Sequence, residues 1–480
     1  MSARAGRMTV STVVVAVVLA LGAGCTTTIP GRAVVGLGAT SAGGLPVTDG
    51  PSGPKDGASD ADLDVDGSDG GEIDTLATNA VADIQEFWAA RFPPDFDAEF
   101  DPIGRLVSYD SEGAGAQLCG ADTNGLVNAF YCPQEDTIAW DRGQLLPSLA
   151  DQFGPMAVVL VLAHEIGHAV QTRLDLVDAT TPTIVAEQQA DCFAGTFMRH
   201  TAEGRAPHFR LSTGDGLNNV LAAIFLLRDQ VGSLLTKRGA HGSAFDRVAA
   251  FQFGFTDGNR RCAEIDIAEV TGRATELGFD SDDDSEGNLE ITQENVGLIV
   301  GTLRDTFDDN PFDEPRLQFD GASCGGSEPT TPPASYCPDP NVIAIDLDGL
   351  AELGTPRDRR DQIAAVGDFA AFGLVASRYV LAVQKGVGLG LEGDLAGLRT
   401  ACLVGAWAGL HIENPFGGRR PLGSVQLAPG DLDEAVAGLL KDGLIASDVR
   451  GATVPSGFAR VEAFRIGFLQ GTRPCTDRFN

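Results

Sequence analysis

A run of residues near the middle of the chain occurs again at its end. Arg247-Val-Ala-Ala-Phe-Gln-Phe-Gly-Phe-Thr-Asp-Gly-Asn-Arg-Arg-Cys262 returns without a gap as Arg460-Val-Glu-Ala-Phe-Arg-Ile-Gly-Phe-Leu-Gln-Gly-Thr-Arg-Pro-Cys475, a shift of 213 positions (247 to 460). Tyr131-Cys132-Pro133 likewise returns as Tyr336-Cys337-Pro338, each with another cysteine upstream, at 119 and 324. Such a repeat constrains the architecture more than composition does, because two copies of one sequence pattern imply two copies of one fold. The copies are placed at 74–279 and 288–480, and the chain length of 480 residues suits two domains with some unstructured sequence.

Apolar periodicity in the first copy predicts helices at 79–92, 155–173, 184–204, 216–234 and 243–256, with short strands near 104–110 and 128–140. The second copy should repeat the order, with helices near 294–307, 367–385, 392–409, 429–440 and 457–470. The expected class is therefore α+β, mainly α-helical, duplicated in tandem. An acidic stretch from Asp280 to Glu286 marks the boundary between the copies.

The N-terminus carries Arg4 and Arg7, an apolar run from Val13 to Ala20, and small residues up to Cys25, the pattern of an export signal over 1–24. Leu21-Gly-Ala-Gly-Cys25 resembles a bacterial lipobox, with the leucine four residues before the cysteine instead of three. We expect Cys25 to be acylated, tethering the protein to the extracytoplasmic face of a cell membrane. Residues 25–73, rich in Gly, Ser, Asp and Pro, should form a flexible acidic tether. An exported chain supports disulfides, and eight cysteines remain after Cys25. If equivalent cysteines pair equivalently, Cys119–Cys132 and Cys192–Cys262 mirror Cys324–Cys337 and Cys402–Cys475. A net charge of −33 excludes nucleic acid as a partner, since phosphate binding needs clustered Lys and Arg.

The chemistry is concentrated in Met156-Ala-Val-Val-Leu-Val-Leu-Ala-His164-Glu165-Ile-Gly-His168-Ala-Val-Gln171, an apolar helix interrupted by two histidines and a glutamate. Residues four apart share a helix face, so both imidazoles reach one metal ion and Glu165 reaches water beside it. A catalytic zinc takes three protein ligands and keeps a fourth position open. Glu187, in Glu187-Gln-Gln-Ala-Asp191 on the next helix, supplies the third, and Asp191 one turn on can accept a hydrogen bond from a ligating histidine. This reading gives one Zn2+ per chain, with Glu165 as general base. His200, His208, His241 and His411 read as surface or structural residues. Tyr109 and Tyr131 are both candidates to stabilise an oxyanion, and spacing selects neither.

Tyr131-Cys-Pro, the H-E-I-G-H-A-V-Q run and Glu187-Gln-Gln-Ala-Asp-Cys-Phe-Ala-Gly195 resemble the putative neutral zinc metallopeptidases, bacterial members of the gluzincin group. The resemblance covers about 80–265. It implies a zincin-like fold, hydrolysis of peptide bonds, and His164, His168 and Glu187 as the zinc ligands. The second copy departs from the motif: Ser377, Arg378 and Leu381 stand where the first has His164, Glu165 and His168, and Ala401 stands in place of Asp191. That copy is expected to keep the fold and lack the metal. The rival reading is a non-catalytic cell-surface binding or scaffold lipoprotein, which has no need of Glu165.

Overall fold

A computed structural model describes residues 41–229, 241–273, 289–309, 311–326, 328–355, 367–412 and 426–480. The leader, Cys25 and the acidic stretch at 280–286 lie outside the described residues. Among the described residues no helix is long and apolar enough to cross a membrane.

The first half begins with short strands β1 (Ser41–Ala42), β2 (Leu45–Pro46) and β3 (Gly53–Pro54), followed by the long helix α1 (Glu72–Phe96). Strand β4 (Arg105–Tyr109), the small hairpin β5 (Gln117–Leu118) and β6 (Ala121–Asp122), then β7 (Ala129–Cys132) and β8 (Thr137–Asp141) precede α2 (Leu145–Phe153). Helices α3 (Pro155–Arg173) and α4 (Thr183–Ala202) come next, then β9 (Phe209–Arg210), α5 (Asp215–Leu226), α6 (Ala244–Asp257), α7 (Asn259–Ala263) and α8 (Ile267–Arg273). The second half contains α9 (Gln293–Phe307), β10 (Arg316–Gln318), β11 (Ala334–Cys337), β12 (Val342–Ile345) and α10 (Leu347–Leu353). It ends with α11 (Asp368–Gly386), α12 (Asp394–His411), α13 (Pro429–Lys441), α14 (Gly457–Gln470) and α15 (Arg473–Arg478). The protein is thus mainly helical with a minor β component.

Both halves use the same element order around a three-stranded sheet. In one, β8 lies between parallel β4 and antiparallel β7; in the other, β12 lies between parallel β10 and antiparallel β11. Close helix packing is matched too. A Cβ on Gly254 would sit 1.7 Å from the Cys192 carbonyl oxygen, and one on Gly467 would sit 1.8 Å from that of Cys402. These glycines let α6 and α14 lie directly against α4 and α12. All four expected disulfides, Cys119–Cys132, Cys192–Cys262, Cys324–Cys337 and Cys402–Cys475, are present.

Two expectations need correction. Residues 41–73 are not a free tether throughout: β3 pairs with β9, Thr48 donates its N–H to Thr213 Oγ1 at 2.8 Å, and Ala42 is fully buried. Their composition is loop-like, yet backbone pairing with distant residues supplies the stabilisation that side-chain burial cannot. The two halves also share one continuous hydrophobic core. Phe245 meets Phe468 edge-on at 4.8 Å, Phe255 meets Phe458 at 4.9 Å, and Arg465 Nε donates to Gln252 Oε1 at 2.9 Å.

Candidate metal centre

Helix α3 is apolar on nearly every side from Met156 to Ala163, which buries it between α1, the sheet and α4. Its polar residues therefore project into the interior. Gly167 allows α4 to approach: a Cβ there would be 3.0 Å from Ala190 Cα. The two helices then bring His164, His168 and Glu187 together, with one ligand atom from each lying within 4.8 Å of the others.

Hydrogen bonds fix how these side chains point. His164 Nδ1 lies 2.8 Å from Asp191 Oδ1, and His168 Nδ1 lies 2.9 Å from Gln171 Oε1. Both partners are acceptors, so each Nδ1 carries the proton and each Nε2 is free to face a metal. The Nε2 atoms lie 3.1 Å and 3.5 Å from the two Glu187 oxygens. Asp191 is itself gripped by Arg247, whose Nε and Nη2 each lie 2.8 Å from one carboxylate oxygen. Gln171 Nε2 donates to the Ala186 carbonyl and to Gln189, tying α3 to α4.

Glu165 is turned toward the sheet. Strand β7 is an edge strand, and its Tyr131 N–H donates to Glu165 Oε2 at 3.0 Å. A cavity of about 200 Å³ opens here, bordered by Asn128, Leu160, Glu165, His241 and Arg247.

The charges are strongly interdependent. Burial alone would lower the His164 pKa, but the Asp191 and Glu187 carboxylates outweigh it and push the value up to about 10. Burial raises the Glu165 carboxyl above its usual range, with His164 and His168 opposing. Glu187 is held below the usual carboxylate range despite its burial, by His168 and His164. Two imidazole nitrogens and a carboxylate facing one point can hold a metal ion between them. The donor set fits zinc, with a fourth position available on the cavity side.

His241 was read as a surface or structural residue, and the structure places it at this cavity. Its Nδ1 lies 3.3 Å from Asp229 Oδ1 and its Nε2 lies 3.8 Å from Glu187 Oε2. The Asp229 hydrogen bond raises its pKa. Arg228, next to Asp229, pairs with Asp433 of the second half at 3.0 Å, so α13 is tied to the chain beside the His241 partner. No spacing rule marks Asp229 and His241; Arg247 is visible as part of the repeated run but not as the partner of Asp191. The other histidines sit elsewhere: His200 packs on Phe87, His208 bonds Asp83, and His411 Nε2 lies 2.9 Å from Thr306 Oγ1. Neither tyrosine hydroxyl is directed at the metal ligands, since Tyr109 donates to the Asn128 carbonyl and Tyr131 to Asp136.

In the second half the corresponding place is filled differently. Ser377 Oγ donates to the Leu374 carbonyl, and the buried Arg378 donates to the Ala334 carbonyl and to Ser447, each at 2.9 Å. Burial lowers the Arg378 pKa to about 10.

Comparison with known proteins agrees with this chemistry. Residues 45–265 match the family model described as "Putative neutral zinc metallopeptidase". The chain is 28% identical over 156 residues to the "Uncharacterized protein Rv2575" of Mycobacterium tuberculosis, covering 28% of this chain and 53% of the relative. It is 26% identical over 200 residues to the "Uncharacterized protein YpfJ" of Escherichia coli, covering 37% and 66%. It thus spans about half the length of the mycobacterial relative. No solved structure matches.

Proposed function

We propose that this chain is a zinc metallopeptidase acting outside the cytoplasm, exported by residues 1–24 and held at the membrane through acylated Cys25. Its catalytic lobe is the first half, ending near 279, and its second half, 288–480, is a degenerate copy that lacks the zinc site. The observation that carries this reading is the convergence of His164, His168 and Glu187, whose ligand atoms lie within 4.8 Å of one another.

Zinc bound there supplies a Lewis acid that polarises the scissile carbonyl and acidifies water at the open position. The remaining work falls to side chains of this chain. Glu165, with its carboxyl pKa raised by burial, takes the proton of the attacking water and delivers it to the leaving amine nitrogen. The Tyr131 N–H holds that carboxylate at the rim of the cavity. Asp191 keeps the His164 tautomer and orientation fixed, and Arg247 keeps Asp191 ionised. His241, whose pKa the Asp229 contact raises, faces the cavity as a donor to the carbonyl oxygen, the role left open between the two tyrosines.

Purified wild type and Glu165→Gln should both retain zinc, while hydrolysis of a peptide library falls by about 10²–10⁴-fold in the variant. Equal hydrolysis by both would remove Glu165 as the base.

A further inference from the structure

The second half carries a group of polar side chains that the peptidase chemistry does not use. Asp368 is the first residue of α11, and Asp431 and Glu434 lie near the start of α13. One carboxylate oxygen from each falls within 4.8 Å of the others, and Asp368 and Asp431 are each only 4% exposed.

Each carboxylate is anchored through one oxygen. Asp368 Oδ2 accepts the Leu289 N–H at 2.6 Å, Asp431 Oδ2 the Ala428 N–H at 2.9 Å, and Glu434 Oε2 the Phe369 N–H at 2.9 Å. If capping two helices were their whole purpose, these bonds would suffice. Yet among the described residues Oδ1 of Asp368 and Oδ1 of Asp431 are buried with no N–H or hydroxyl donor, and the two carboxylates lie against each other. Among the described residues, none of the three carboxylates forms an ion pair with Lys, Arg or His. Buried acceptors of this kind need a donor or a cation.

We propose that Asp368, Asp431 and Glu434 bind a hard divalent cation of the calcium type. All donors are oxygen, which selects calcium, magnesium or manganese over zinc. Oxygens held at about 2.3–2.6 Å from one calcium lie within roughly 5 Å of each other, so the observed arrangement needs little movement. Asp368 also borders an open cleft of about 410 Å³ together with Glu290 and Thr355, which gives ion and water a way in.

The site is particular to this half. Where α11 starts with Asp368, the matching helix α3 starts with Pro155; α13 carries Asp431, Asp433 and Glu434, whereas Asp215 is the one acidic residue of α5. The cation would hold together the starts of α11 and α13, and α13 is the helix whose Asp433 pairs with Arg228, next to Asp229.

The test uses the full chain, stripped with chelator, reloaded with one equivalent of zinc, and titrated at pH 8 with calcium, magnesium and manganese chlorides in turn. Calorimetry should show one site per chain, and saturating cation should raise Tm by about 3 °C or more. Binding should persist in His168→Ala, which disables only the zinc site, and weaken at least tenfold in Asp368→Asn/Asp431→Asn. Should that double variant fail to fold, Glu434→Gln is measured in its place with the same expectation. The proposal is overturned if the wild type binds none of the three cations, or if binding survives undiminished in the variants. A double variant that simply outlasts metal-free wild type on heating, with no cation bound by either, would mean that the carboxylates share protons instead. Zinc content and peptide hydrolysis of the same samples report separately on the peptidase reading.

Discussion

Helices α3 and α11 have the same length and lie in the same place against the same kind of sheet, yet one presents a metal-binding set and the other closes the space. In α3, Glu165 accepts an N–H from edge strand β7; in α11, Arg378 donates to a carbonyl on β11. Asp191 of α4 pairs with Arg247, while the matching Arg460 donates instead to the carbonyls of Val454 and Leu440. The shared parts are those that set packing: disulfides, close-approach glycines and sheet order. The parts that differ are the buried polar residues. At the position of the metal ligands the second half has Arg378, which is satisfied by the Ala334 carbonyl and the Ser447 hydroxyl and requires no ion.

That contrast predicts where substitutions matter. The largest effect outside the metal ligands and Glu165 is expected at His241. His241→Gln should lower kcat by about 10²-fold with little change in zinc content. Steady-state kinetics that located the loss in KM alone would break its assigned role.

Next comes Asp191→Asn, which should weaken zinc binding by about 10–100-fold. It also leaves Arg247 buried without its anion, destabilising the fold by about 3–5 kcal/mol. Competition with a chromophoric chelator and denaturant unfolding measure the two effects. Arg460, which already lacks such a carboxylate, gives the control: Arg460→Met should leave zinc affinity unchanged.

A smaller effect sharpens the comparison through pH. Glu462 of α14 stands where α6 has Ala249, and burial raises its pKa to about 7, with Arg465 opposing. A carboxyl whose folded-state pKa exceeds its unfolded one binds its proton more tightly in the folded state. Wild-type stability should therefore decline as pH rises from about 4.5 to about 7 and then level off. Glu462→Gln should remove that decline, so its Tm advantage over wild type grows from pH 5 to pH 8. Parallel Tm curves for the two proteins would contradict the assignment.

Much of this was legible from residues alone. The apolar run that buries α3 is long and uniform, and its expected limits, 155–173, coincide with the helix. The equivalence of cysteines gave the four disulfide pairs, and the H-E-x-x-H and E-x-x-A-D spacings named the three side chains that the fold brings together. What escaped reading has physical causes. Residues 41–54 contribute through backbone pairing with residues more than 150 positions away, which leaves no local pattern. Helices α2 and α10 are short, and a few turns carry too little periodicity to stand out. Asp229 and His241 meet the metal ligands only through tertiary folding, so neither their spacing nor their composition announces them. The shared core was hidden because the aromatic residues that join the halves, Phe255 and Phe468 within the repeated run and Phe245 and Phe458 just before it, look in each copy like that copy's own interior.

The central claim is that one zinc ion is held by three side chains of the first half and that the second half holds no zinc. Metal analysis of the purified full chain beside His168→Ala and Leu381→Ala tests it directly. The account predicts one zinc per chain in the wild type and in Leu381→Ala, and almost none in His168→Ala. Zinc retained at the wild-type level in His168→Ala, or a wild type that hydrolyses peptides with no zinc bound, would contradict it.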